Sequence, residues 1–322
     1  MRILIVKTSS MGDVVHALPL AADIAHAQPD AQIDWLCEEA FAAIPAMSQY
    51  VGLVQRVALR RWRKRPFDPE VWREVRLAKS AVRGAHYDLV LDAQGLAKSA
   101  WLARWSDAPV MGFDSSTARE RIAARFYQRS FGVPRTLHAI ERCRRLGAAA
   151  LRYSLNGAPR FGIAAGAERT AQGEKKAVLL VNASRATKLW DDKRWLALER
   201  WLSEQGFASV LFCGTAHERL RSELLAAQME HAEVRPPATL AMIASTFAQA
   251  AIVVGLDTGL THLAAALGRP TVGIFCDYDP GLVGLTADAD AGNAVASVGS
   301  ATAAPAASEV IDAAARVMNP QQ

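Results

Sequence analysis

Short apolar runs followed by helix-length amphipathic segments recur along this chain, and that alternation leaves it little choice of fold. Residues 3–7 form a predicted strand, which runs into the turn Thr8-Ser9-Ser10-Met11-Gly12 and a predicted helix over 13–27. Further strands are predicted over 33–37, 54–59 and 88–91. After a stretch rich in Gly, Ala and charge, the pattern restarts with strands over 177–181, 207–213, 251–256 and 271–275, helices between them, and a final helix over 308–318. Parallel strands linked by helices wind into doubly wound sheets, so the expectation is an α/β protein. A length of 322 residues accommodates two such domains. In these folds ligands bind beyond the carboxyl ends of the strands.

Composition narrows the class further. With 51% hydrophobic and 21% charged residues the chain is neither disordered nor fibrous. No apolar run approaches the ~20 residues that span a bilayer. The opening offers four consecutive apolar residues after Arg2, too few for a signal peptide, so a cytoplasmic location is expected. Cys37, Cys143, Cys213 and Cys276 lie far apart without a CxxC pair and read as reduced thiols. The net charge of +5 is concentrated: residues 60–65 read Arg-Arg-Trp-Arg-Lys-Arg, five cations in six positions. Such a run points to an anionic partner, whether nucleic acid, lipid headgroups or a phosphorylated substrate. Trp62 strengthens that reading, since an aromatic ring among arginines has no reason to face water.

Two turns carry candidate chemistry. Gly12-Asp13 sits where a strand ends and a helix begins, so Asp13 is either a helix cap or a general base. No G-x-G-x-x-G follows that strand, which leaves dinucleotide binding unsupported. In the second half, Gly255-Leu256-Asp257-Thr258-Gly259-Leu260-Thr261-His262 delivers Asp-Thr-Gly to a helix N-terminus, where free N–H groups favour a phosphate. His262 is one turn further in, and Lys188 follows the strand at 177–181. The triplet Asp277-Tyr278-Asp279 has the form of a metal-binding D-x-D but leads into a Pro-Gly turn, and is read as loop structure.

Taken in order, Lys7-Thr8-Ser9-Ser10-Met11-Gly12-Asp13-Val14-Val15-His16, Arg60-Arg61-Trp62-Arg63-Lys64, Asp92-Ala93-Gln94-Gly95-Leu96, Thr117-Ala118-Arg119-Glu120 and Asp257-Thr258-Gly259-Leu260-Thr261-His262-Leu263 resemble the ADP-heptose:lipopolysaccharide heptosyltransferase family (glycosyltransferase family 9). The resemblance covers nearly the whole chain, and the basic stretch favours the first-acting type. It implies a GT-B fold: two Rossmann-like doubly wound domains facing a central cleft. The expected organisation is an acceptor domain over 1–160, a linker over 161–176, a donor domain over 177–306, and a C-terminal helix over 307–322 packed back on the first domain. The implied reaction moves L-glycero-D-manno-heptose, with inversion, from ADP-heptose to the first Kdo of Kdo-lipid A. It implies a monomer at the cytoplasmic face of the inner membrane, in peripheral contact with it, using no cofactor, metal or nucleic acid.

By position, the resemblance makes Asp13 the catalytic base. Ser184, Arg185, Lys188, Glu218, Ala238, Asp257, Thr258, Gly259 and His262 become the ADP-heptose contacts. Ser10, Gly12, Arg60, Arg61, Arg63, Lys64, Gln94, Lys98, Arg119 and His138 become the acceptor contacts. The segment over 182–190 is one residue shorter than the family pattern, and the following Leu-Trp anchors Lys188. One rival, a non-catalytic protein binding nucleic acid or anionic lipid, explains the basic run but leaves both turns without purpose. A nearer rival is a later-acting heptosyltransferase.

Overall fold

Two six-stranded parallel sheets organise the chain in the computed structural model, which describes residues 1–164 and 175–319. One sheet belongs to a unit spanning Met1–Ile163, the other to a unit spanning Ala164–Gln322.

In the first unit the strands are β1 (Arg2–Val6), β2 (Gln32–Glu38), β3 (Val54–Val57), β4 (Leu89–Asp92), β5 (Val110–Phe113) and β6 (Arg129–Phe131). They lie in the order β3-β2-β1-β4-β5-β6. The helices are α1 (Met11–Ala27), α2 (Ala43–Ala46), α3 (Leu59–Trp62), α4 (Pro69–Gly84), α5 (Ala97–Ala103) and α6 (Ala139–Leu151). β1 is apolar without alternation because both its faces are covered. Helix α1 packs on α6, and Arg144 of α6 donates to both carboxylate oxygens of Asp23 at 2.7 and 3.0 Å. That pair is largely buried, so deleting one partner would cost about 3–5 kcal/mol.

In the second unit the strands are β7 (Lys175–Leu180), β8 (Phe207–Leu211), β9 (Ala232–Val234), β10 (Ile252–Leu256), β11 (Thr271–Phe275) and β12 (Val295–Gly299). Their order, β12-β11-β10-β7-β8-β9, has the same winding. The helices are α7 (Asp192–Glu204), α8 (Ala216–Ala226), α9 (Leu240–Gln249), α10 (Gly259–Ala266), α11 (Pro280–Val283) and α12 (Ala307–Met318). Trp190 and Trp195 meet edge to face at 5.1 Å in a core shared by β7, β10, β11, α7 and α12.

Each sheet has one switch point, between β1 and β4 in the first and between β7 and β10 in the second, where the chain winds off in opposite directions. Crevices open at such points, beyond the strand ends.

Three expectations need correction. The C-terminal helix, expected to pack back on the first domain, buries Val310, Ala313, Ala314 and Val317 in the second unit's own core. The strand expected to run through residue 59 ends at Val57, and Leu59–Trp62 instead forms a single helical turn. Of the linker expected over 161–176, residues 165–174 lie outside the described residues; Ile163 bridges to Ser48 in the first unit, and β7 is already under way at Lys175. No helix among the described residues is long and apolar enough to cross a membrane.

Candidate active site

At the first switch point, β1 leads into Lys7 and the turn before α1. Ser10 is the N-cap of α1, Gly12 lies in its first turn, and Asp13 is the third helical residue. Asp13 accepts from the Ser10 backbone N–H at 2.9 Å and from the Ser10 hydroxyl at 3.1 Å. Arg119, in the loop after β5, donates from both guanidinium nitrogens, at 2.5 Å to Oδ1 and 3.3 Å to Oδ2. Lys7 Nζ stands 3.9 Å from Oδ1. Burial opposes ionisation of Asp13, but the charges of Lys7 and Arg119 and the Ser10 hydrogen bonds outweigh it and hold the carboxyl well below the usual range. Asp13 is thus both a helix-capping residue and an ionised carboxylate beside two cations.

Across the switch point, Gln94 follows β4. Its Oε1 accepts from the Thr8 N–H at 2.6 Å and the Thr8 hydroxyl at 2.8 Å, while Nε2 donates to the Ser9 carbonyl at 2.7 Å. The amide is therefore fully engaged in fixing the turn that carries Ser10 and Asp13. Behind it, buried Asp92 accepts from the Gln94 N–H, Ser99 Oγ and Tyr127 OH. Burial pushes the Asp92 carboxyl up despite those donors. Lys98 is exposed, with Nζ 3.4 Å from Ser9 Oγ. His138 caps α6, its Nδ1 accepting from the Ile140 N–H, and its ring lies edge-on to that of His16 at 5.8 Å.

The basic turn follows β3, two strands from β1 in the sheet. Trp62, expected to face an anionic partner with the arginines around it, does not stand with them. The indole is buried in the core of the first unit and donates to Glu74 at 2.7 Å, because one helical turn at 59–62 points it inward while its neighbours face water. Arg61 is already paired with Glu39 and Glu74. The Arg60 N–H donates to Glu38, and its guanidinium stacks 4.9 Å from the Phe41 ring. Arg63 and Lys64 are exposed.

The second switch point brings Lys188 and Asp257 into contact. Lys188 ends a short 3-10 turn after β7, and Asp257 follows β10. Lys188 Nζ donates to the Asp257 carboxylate and, at 2.9 Å, to its backbone carbonyl. His262 Nε2 lies 3.2 Å from the other carboxylate oxygen. Burial works against the Asp257 charge, yet His262 and Lys188 bring its pKa down to about 2. Thr258 is the N-cap of α10 and Gly259 its first residue, so first-turn N–H groups point beyond β10. Gly255 makes that approach possible: a Cβ there would run into Thr261 Oγ1 and come within 2.8 Å of Leu180 Cβ. Thr261 Oγ1 donates to the Leu256 carbonyl at 2.6 Å, tying the first turn of the helix to its strand.

The other candidates of this unit line the same edge. Ser184 and Arg185 follow β7, Glu218 follows β8, and Ala238 follows β9, so with Asp257–His262 they stand at the carboxyl ends of four adjacent strands, β10-β7-β8-β9. Ser184 is exposed. Arg185 is 3.3 Å from Asp277. One oxygen of Glu218 accepts from the Gly214 and Thr215 N–H groups in a capping box. In the D-x-D triplet, Asp277 accepts from Thr187 Oγ1 at 2.6 Å, and Asp279 caps α11 through the Gly281 N–H at 2.8 Å.

Sequence reasoning passed over Lys7, a cation directly after a buried strand, whose burial is understandable only once Asp13 is seen beside it. It also passed over Asp92, the anchor of the Gln94 turn.

The chemistry on hand is a carboxylate among cations on one unit, and on the other a lysine, a histidine and a helix N-terminus suited to phosphate. The family model for glycosyltransferase family 9 (heptosyltransferase) matches residues 74–305. The chain is 44% identical over 289 residues to lipopolysaccharide heptosyltransferase 1 of Pseudomonas aeruginosa, covering 88% of this chain and 81% of that one. It is 41% identical to the Escherichia coli K12 protein of the same name, covering 88% and 90%. Among solved structures, E. coli heptosyltransferase WaaC with ADP superposes with a TM-score of 0.88 at 37% identity, covering 97% of this chain and 98% of that one. The match in sequence runs through both units, and the match in structure through both sheets: the chain is a glycosyltransferase and belongs to family 9, the heptosyltransferases.

Proposed function

We propose that this protein transfers L-glycero-D-manno-heptose from ADP-heptose to the first Kdo of Kdo-lipid A, with inversion at the anomeric carbon. The relatives that it resembles over most of their length bear the name lipopolysaccharide heptosyltransferase 1. The observation that carries the reading is the row of candidate donor contacts at the ends of β10, β7, β8 and β9, with Lys188 and α10 at the switch point. In this reading a nucleoside diphosphate lies along that row in an extended pose, base towards Ala238, ribose towards Glu218 and diphosphate at Lys188 and Thr258-Gly259.

In the reaction a Kdo hydroxyl oxygen attacks the anomeric carbon of the heptose. Its proton passes to Asp13, and the bond from that carbon to the diphosphate oxygen breaks, leaving its electron pair on ADP. Lys188 and the α10 N-terminus stabilise the charge that develops there. Inversion needs base and leaving group on opposite faces of the sugar, as in inverting glycosidases. The reading takes acceptor chemistry from the first unit and donor chemistry from the second, with Asp13 as the single base. Arg119 is the natural partner for an acceptor carboxylate, and an acceptor that draws it off Asp13 makes that carboxylate more basic. Arg60, Arg63 and Lys64, with Arg61, complete the anionic acceptor site. The enzyme works as a monomer, peripheral to the cytoplasmic face of the inner membrane.

The test is ADP release from ADP-heptose with Kdo-lipid A and, in parallel, with an acceptor that already carries heptose. Turnover with the first alone supports the reading. Preference for the second assigns the protein to a later step.

A further inference from the structure

Residues 60–83 hold nine Lys and Arg against three Asp and Glu, a net +6 that exceeds the +5 of the entire chain. Part of this charge is internally balanced: Arg61, Arg65, Arg73 and Arg83 pair with nearby carboxylates. Arg63, Lys64, Arg76 and Lys79 are exposed and make no ion pair among the described residues. The same segment carries three of the large exposed apolar side chains of the molecule within eleven residues: Phe67 (94% exposed), Trp72 (54%) and Leu77 (63%). Trp72 Nε1 donates to the Pro66 carbonyl at 2.8 Å, which sets the indole beside the Phe67 turn. Along α4, Trp72, Arg76, Lys79 and Arg83 recur at the spacing of one helical stripe.

Single exposed apolar residues are ordinary, but aromatic rings gathered among unpaired cations are the composition of an interfacial binder. The rings suit the boundary between headgroups and acyl chains, and the cations suit anionic headgroups. A phosphodiester backbone matches the cations but offers the Phe67 phenyl nothing comparable to an acyl layer. We infer that the Phe67 turn and the exposed stripe of α4 form a docking surface for an anionic phospholipid bilayer. Phe67 and Trp72 enter the headgroup boundary, and Arg63, Lys64, Arg76 and Lys79 stand over the lipid phosphates. This rests on the peripheral membrane role proposed above and says which face performs it. Arg63 and Lys64 then border both the bilayer and the acceptor site, so the lipid substrate is met where it is embedded.

The experiment is co-sedimentation of the full chain with phosphatidylcholine vesicles, with and without phosphatidylglycerol, and free of any acceptor lipid. Two variants are compared, Phe67→Ser and the pair Arg76→Glu with Lys79→Glu; all three positions are exposed, so wild-type melting is expected. Each cation near an anionic surface is worth about five-fold in binding. The charge variant should therefore lose at least ~20-fold in partitioning, and Phe67→Ser about five-fold. Both should turn over a deacylated, water-soluble acceptor at the wild-type rate, and added salt should weaken the wild type.

A wild type that ignores anionic vesicles overturns the membrane role itself. A wild type that binds while both variants bind equally well overturns only the choice of surface. Loss of turnover on the soluble acceptor places these residues in the acceptor site instead. Self-association abolished by Phe67→Ser makes the partner a second copy of this chain, and binding to single-stranded DNA without binding to vesicles makes it nucleic acid.

Discussion

Replacing Asp13 by Asn separates the helix cap seen in the structure from the catalytic base proposed above. Asn keeps the shape and one acceptor oxygen, so the Ser10 N–H at 2.9 Å retains a partner and the α1 cap survives. The charge is lost, which leaves Lys7, only 6% exposed in its side chain, without its carboxylate; its Nζ keeps the Ala93 carbonyl at 2.9 Å. Arg119 is 40% exposed and turns to water at little cost. The structural penalty is therefore about 1–2 kcal/mol, within what a folded domain tolerates. The chemical penalty is larger, since loss of a general base lowers rates by ~100-fold to ~10,000-fold, or roughly 3–5 kcal/mol of barrier. Expected results are a Tm lowered by a few degrees, ADP affinity unchanged because the proposed donor contacts belong to the other unit, and kcat reduced at least ~100-fold. The assay is continuous ADP release with each substrate titrated in turn, alongside calorimetry with ADP and a thermal melt. In the wild type, Lys7 and Arg119 hold Asp13 below its ordinary 3.8, so it stays ionised from neutrality down through the mildly acidic range and contributes no acidic limb to kcat/KM there. A variant kcat within about five-fold of wild type would remove Asp13 from the mechanism, whatever its Tm.

Lys188→Ala should weaken ADP binding roughly 10- to 100-fold, the worth of a hydrogen bond to a charged group, with acceptor KM unchanged; calorimetry giving wild-type affinity would refute it. Replacing Arg60, Arg61 and Arg63 by Ala should raise acceptor KM and spare ADP-heptose affinity. Of these, Arg61→Ala should also lower Tm, because it strips Glu39 and Glu74 of their partner, whereas Arg63→Ala should leave Tm alone and cost about five-fold in acceptor KM. Asp257, depressed from 3.8 to about 2, contributes roughly 2 kcal/mol of stability that is present above pH 4 and lost as pH falls through 2. Urea unfolding of wild type and Asp257→Asn across that window should show the gap between them closing, and a constant gap would contradict the pairing. EDTA should leave most activity intact, since in the proposed reaction Lys188 and the α10 N-terminus supply the charge, and Asp277 and Asp279 each already accept from a protein donor; loss restored by magnesium would show otherwise.

The central strands were legible because burial on both faces forces continuous apolar runs: β1, β7 and β10 could be read from their residues alone. The outer strands β5, β6, β9 and β12 were not anticipated. β6 reads Arg-Ser-Phe and β9 Ala-Glu-Val, three residues each and poor in apolar content, so tertiary pairing and not local preference makes them strands. The same division holds for the candidate site. Asp13 and Asp257 stand at strand-to-helix turns, and their position is visible in the periodicity. Trp62 was misread because side-chain direction in one isolated turn depends on what lies beneath it. Lys7 was passed over because its partner belongs to the next element. The α12 docking surface comes from β10, β11, β12 and α7, and nothing in the helix itself names the sheet that it covers.

Gly255 acts through an atom that it lacks, and this constrains how the phosphate turn can drift. A side chain at 255 must displace Thr261, whose hydroxyl holds the start of α10 to Leu256. Shrinking 261 gives up the tether between helix and strand and still leaves the Leu180 Cβ, fixed on the paired strand β7, 2.8 Å from the added carbon. Position 255 is therefore locked from two sides, by the start of the helix and by the neighbouring strand. Randomising 255 alone, or 255 and 261 together, returns glycine at 255, so this turn drifts only at positions that leave that stretch of backbone bare.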